Sequence, residues 1–222
     1  MLTLSLNKNL SLFKAMKRLF VLFIILLFST ECFAETFCAL REPSHSIGNL
    51  FPDYKSSRSL VKTITLEVKQ RLQAHLPFEF HYKEFGKHTL YLVFNDTVPI
   101  GLILARPEKG RWGINEIVWA LDMDYNIIGF NFQRCRCITQ DEVESPDFRQ
   151  FLQGQNWQSL SNTLFTDADN HHDLPGTISE EGRSLAMTVI RSAIKASLTT
   201  SLVWGEELKT LRQESIHNLR WD

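Results

Sequence analysis

Two short stretches of this chain carry residue types that do chemistry. The first is Asp173-Leu-Pro-Gly176-Thr177-Ile-Ser179-Glu180, which leads into the longest periodic apolar segment. A helix N-terminus offers unpaired N–H groups and positive dipole character, and both favour a phosphate or another anion. Gly176 lets a ligand come close to the backbone, and Thr177 and Ser179 bring hydroxyls to the same place. Thr177 with Glu180 also fits a capping box, which would make these residues a helix start and nothing more. The second stretch is Gln133-Arg134-Cys135-Arg136-Cys137. Its two guanidiniums suit a phosphate or an acidic partner, or they protect a solvated edge strand. Residues two apart on an extended chain share a face, so Cys135 and Cys137 point the same way there.

Other candidates are weaker. Asp167, Asp169, Asn170, His171, His172 and Asp173 are metal-ligating types in one polar run. Glycine is missing where a calcium loop needs it, and Ile178 stands where the bidentate Glu should be. Adjacent histidines rarely face one metal, so the expectation is a polar loop with no metal. No Gly-x-Ser-x-Gly, Walker loop or paired-carboxylate motif supports a hydrolase.

The N-terminus reads as an address. Lys8, Lys14, Lys17 and Arg18 precede the apolar run Leu19–Phe28, and Cys32-Phe-Ala34 follows as a small-x-small site. Ten apolar residues are half of the roughly 20 that span a bilayer, so the expectation is a signal peptide over residues 1–34 and export to the periplasm. The alternative is an uncleaved inner-membrane anchor. Removing Lys8, Lys14, Lys17, Arg18 and Glu31 from 24 basic and 25 acidic residues leaves 20 and 24. That mildly acidic balance excludes a chain-wide nucleic-acid footprint. Cys38, Cys135 and Cys137 then remain, an odd number for an oxidising compartment. Two readings stay open: a staple from Cys38 to one of the other two, or three unpaired thiols.

The elements that position these residues follow from periodicity. Apolar residues make up 44% of the chain and charged residues 22%, which fits a folded domain and excludes extensive disorder. Residues 36–56 read as an irregular lead-in. Leu60, Ile64, Val68 and Leu72 recur every four residues and predict a helix over 57–75, ended by Pro77. The period then becomes two: Phe78, Phe80 and Tyr82 predict a strand, followed by strands at 89–94, 100–105, 114–121 and 127–133. Short helices are expected after Pro146 and at Trp157, and a long one from Thr177 to about residue 200. The fold class is α+β: an antiparallel meander packed with an N-terminal helix and a long C-terminal helix, in one domain over residues 35–222.

The order Gly110-Arg-Trp-Gly-Ile114, strand, Asp122-Met-Asp-Tyr-Asn126, strand, Phe148-Arg-Gln-Phe-Leu-Gln-Gly154, then a Gly-Thr turn into a long helix resembles the FMN-binding domain. That family includes the periplasmic flavin subunits of the Rnf electron-transport complex and of sodium-pumping NADH:quinone reductase. The likeness covers about residues 109–200. It implies an FMN-binding electron carrier rather than a turnover enzyme, with the flavin phosphate at Gly176, Thr177 and Ser179 and with Arg134 nearby. It also implies a membrane or periplasmic redox partner. If attachment is covalent, Thr177 is the acceptor and a flavin transferase is a further partner. Trp112, Trp119 or Phe132 would cover the ring. Pro175 stands where the family has Ser, Thr or Gly, and no Ala separates Gly176 from Thr177. The rival reading is a flavin-free periplasmic binding or assembly protein that keeps the fold. A third is a thiol-redox protein using Cys135 and Cys137.

Overall fold

A computed structural model describes residues 42–81, 84, 86–165 and 174–218. The chain divides into two units, Met1–Thr36 and Phe37–Asp222. The signal-peptide stretch, Cys38 and the polar run 166–173 lie outside the described residues. Among those described, no helix is long and apolar enough to cross a membrane.

The second unit is built on five antiparallel strands in sequence order: β1 (Ser56–Ile64), β2 (Gly86–Asn95), β3 (Val98–Gly110), β4 (Gly113–Leu121) and β5 (Ile127–Arg134). This is the α+β meander expected from the period-two pattern. Strand parity sorts the side chains. Leu102, Leu104, Ile117, Trp119 and Leu121 join one core, and Ile103, Ala105, Val118 and Ala120 join a second core on the other face. A sheet covered on both sides reads as continuous apolar runs, which is why β3 and β4 show little alternation in sequence.

Helices supply both covers. The short helix α1 (Ser44–Leu50) and Phe51 close the second core. The first core is closed by α2 (Leu66–Gln73), α3 (Gln140–Val143), α4 (Pro146–Leu152), α5 (Trp157–Phe165) and α6 (Arg183–Thr199). A π-helical turn, Thr200–Trp204, carries α6 into α7 (Gly205–Asn218). Buried polar atoms anchor α6 at chosen points. Trp119 Nε1–H donates to Ser192 Oγ at 2.9 Å, and Ser197 Oγ donates to the Tyr125 carbonyl at 2.9 Å. Trp204 Nε1–H donates to the Leu60 carbonyl at 3.2 Å.

Four expectations are corrected. Residues 56–64 form an edge strand, and only 66–73 are helical. Leu60 and Ile64 are four apart, which satisfies either period, and pairing with β2 decides. Thr65 then caps α2, its Oγ1 accepting from Val68 N–H at 3.3 Å. The lead-in contains α1 rather than being wholly irregular. Phe78–His81 is not a strand: the Gln73 amide takes the place of a partner, donating to Phe78 O and accepting from Phe80 N–H, both at 2.8 Å. The last helix starts at Arg183 rather than Thr177.

Gly101 lies against Phe51, the residue that ends α1. A Cβ there would lie 2.4 Å from Phe51 Cζ and 2.9 Å from the Leu121 carbonyl oxygen. Gly101→Ala is therefore expected to cost about 1–3 kcal/mol through overpacking. Urea unfolding checks this, and an unchanged midpoint would contradict it.

Candidate functional site

A groove of about 260 Å³ opens where the β3–β4 hairpin tip overhangs the start of α6. Arg111, Trp112, Asn115, Cys137, Ile138 and Leu185 are among its walls. Trp112 is 59% exposed and Ile138 84% exposed, unusual for large apolar side chains. The Arg111 guanidinium lies 5.2 Å from the Trp112 ring centroid, within cation–π range.

The wall of this groove contains a disulfide between Cys135 and Cys137, whose Cα atoms are 5.4 Å apart. The expected staple from Cys38 and the three free thiols are both corrected. Side chains two residues apart on one face are within bonding reach, and neither partner has to come from elsewhere. The buried Asn115 places Oδ1 3.2 Å from Cys137 Sγ, while its Nδ2 has no partner. A bonded sulfur has no proton to give, so this is an S···O contact that becomes a hydrogen bond when Cys137 is a thiol.

The loop that precedes α6 is held by a different group. Ser179 N–H and Oγ–H both donate to the Glu142 carboxylate, each at 2.8 Å. Ser179 Oγ in turn accepts from Gly182 N–H at 3.1 Å, and Arg183 N–H donates to the Ser179 carbonyl at 3.0 Å. Ser179 Oγ thus closes the turn before α6, whose N-cap position is Gly182 without a side-chain cap, and an internal carboxylate takes the Ser179 donors expected to meet a phosphate. Gly176 and Thr177 remain exposed. A Cβ at Gly176 would meet nothing within 4 Å, and Thr177 Oγ1 has Ser145 Oγ at 3.5 Å.

Arg134 sits at the end of β5, half-exposed, 3.4 Å from the mostly buried Glu116 carboxylate. Of the aromatics, only Trp112 lines the groove. Trp119 is core, and Phe132 packs edge-on against Phe130 with centroids 5.6 Å apart. Among the described residues, no group of three or more His, Cys, Asp or Glu gathers to hold a metal ion.

A second cluster was not foreseen. Glu84, Arg106, Glu108 and Lys195 are all buried and mutually paired. Arg106 bonds Glu84 and lies 3.4 Å from Glu108, and Lys195 Nζ donates to Glu84 at 2.7 Å and Glu108 at 2.9 Å. Phe80 lies under both cations, at 5.6 Å from Arg106 and 5.4 Å from Lys195. Burial raises the Glu84 carboxyl, but Arg106, Lys195 and the hydrogen bonds outweigh it and hold it below its ordinary value. His88 on β2 is lowered from 6.5 to about 4, first by burial and then by Arg106, with Glu84 partly offsetting. The signal for this cluster was strand parity. Residues 102, 104, 106 and 108 share a face, but Pro107 made 106–110 read as loop. Pro107 is tolerated because the β2 ladder on β3 stops at Leu104.

No family model, curated protein or solved structure matches this chain.

Two outcomes follow from the buried cluster. Lys195→Met strips one cation from two buried carboxylates and is expected to cost about 3–5 kcal/mol in denaturant unfolding. His88 is neutral when folded and charged when unfolded below pH 6.5, so its contribution is complete above that pH. It is lost as pH falls from 6.5 to about 4, by no more than about 3 kcal/mol. His88→Gln should flatten the stability–pH curve over that window, and a slope as steep as the parent's would exclude His88 as its source.

Proposed function

We propose that this chain is an exported FMN-binding protein that carries electrons between membrane or periplasmic redox partners. The observation that carries this reading is the way the groove and the Gly176–Thr177 loop attach to one short helix. Thr139, a wall of the groove, stands at the N-cap position of α3, and Glu142 of α3 clamps the loop. An aromatic-rimmed groove and an exposed hydroxyl beside an open glycine are thereby tied together. Trp112 and Ile138 are the side chains that suit a flat ring, and Arg111 suits an anionic edge. Gly176 and Thr177 suit the phosphate. Ser179 joins them only where the phosphate displaces Glu142 from the same two donors, and Arg134 only on release from Glu116. When bound, the flavin supplies the electron-transfer chemistry. The chain's own part is to orient it, shield one face with Trp112 and neutralise charge.

The Glu142–Ser179 pair also favours the second reading, a flavin-free periplasmic binding or assembly protein. An anion site already filled by the protein's own carboxylate needs no cofactor to satisfy it.

The deciding measurement is the intact mass and flavin content of the protein purified from its own envelope fraction. The expected result is a chain beginning at Glu35 that carries flavin. An FMN-sized addition lost in Thr177→Ala would assign the attachment, and flavin released on denaturation would assign non-covalent binding. A colourless chain of unmodified mass from flavin-replete cells would overturn the reading in favour of the second.

A further inference from the structure

We infer that the Cys135–Cys137 bond is a thiol–disulfide exchange site, and that its substrate is a polypeptide carrying two reduced cysteines. This inference does not rest on the flavin reading. A disulfide stabilises a fold chiefly by closing a loop in the unfolded chain, and the gain shrinks with the loop. This one joins residues two apart, just past the end of β5, and ties no two elements together. Its value as a staple is therefore small, although it sits in the wall of a groove that leaves Trp112 and Ile138 exposed.

The surroundings suit exchange. Both cysteines pack against the first core, but Cys137 also lines the groove, so its sulfur is the one a ligand there meets. Asn115 Oδ1 is placed to accept the proton of a freed Cys137 thiol. The exposed Trp112 and Ile138 give an apolar segment something to bind, which a small hydrophilic thiol would not use.

The step balances. A substrate thiolate attacks Cys137 Sγ, the Cys135–Cys137 bond breaks, and its electron pair leaves on Cys135. The second substrate thiolate attacks the substrate sulfur of the mixed disulfide and releases Cys137 as thiolate. The substrate loses two electrons and two protons and becomes a disulfide. The protein gains both and becomes a dithiol, one substrate for each chain.

The test uses the full chain and two probes, a synthetic peptide with two cysteines beside Leu and Trp residues, and glutathione. Alkylation with mass readout should show two new thiols per chain and one disulfide per peptide. Cys135→Ser leaves Cys137 to form a mixed disulfide with thionitrobenzoate-activated peptide, roughly tenfold faster than Cys137→Ser leaves Cys135 to do so. Trp112→Ala should slow the peptide and leave glutathione unchanged. A bond that stays oxidised in excess peptide, equal trapping by the two variants, or glutathione matching the peptide regardless of Trp112 would each overturn the proposal. If a single variant fails to fold, the alkylation of the wild-type chain still decides. Exchange in a chain purified without flavin from flavin-replete cells would leave this inference standing while the flavin reading falls.

Discussion

Two carboxylates and two cations meet out of water between the sheet and its longest helix, and the rest of the second unit is arranged around that demand. A buried charge survives only if it is paired and hydrogen-bonded. Glu84, Arg106, Glu108 and Lys195 satisfy one another almost completely, leaving Arg106 Nη1 without a partner. The pairing fixes more than energy. Lys195 must face the 106–108 end of β3, so α6 can neither rotate nor slide by a turn without exposing a bare charge to the core. Apolar packing alone would tolerate such a slip, because Ala193, Ile194, Ala196 and Leu198 present apolar surface nearly all round. The ion pairs are best understood as setting register.

The position of the groove follows from that register. With Lys195 fixed, the first turns of α6 fall beneath the β3–β4 hairpin, whose tip at 110–113 has no helix of its own to cover it. Trp112 is thus left exposed by geometry. Trp119, seven residues on, is wholly buried on Ser192. The same helix therefore makes one Trp core and leaves the other available, a difference that hydropathy does not contain.

The fold was largely legible because period two is a local signal. β5 comes from alternation, β2 to β4 from short apolar runs, and their turns from Asn95-Asp96 and Asp122–Asn126, where Asp96 and Tyr125 take positive φ. The failures share one cause: a distant partner overrode a local pattern. Residues 56–64 carry apolar residues every four positions but pair with β2. Phe78–His81 alternates but finds only the Gln73 amide. Thr177 and Glu180 spell a capping box, yet Glu142, 37 residues earlier in the chain, holds Ser179 and the helix starts only at Arg183. Of the site, the sequence offered the Gly176–Ser179 loop and the Arg/Cys strand as separate candidates. It could not offer Asn115, Ile138 or Glu142, which matter only through what the fold sets beside them.

What joins those candidates is the span 135–142. The disulfide opens it, Cys137 to Thr139 wall the groove, and Glu142 ends it on Ser179. A phosphate arriving at Ser179 would meet the two donors that Glu142 already uses, and like charges at one pair of donors exclude each other. Glu142 is only partly buried, so water can take its carboxylate if it leaves. The loop therefore has one anionic partner, built in, and that partner clamps α3 to it. The groove wall, three residues away on the same span, belongs to that clamp rather than to the rigid sheet behind it.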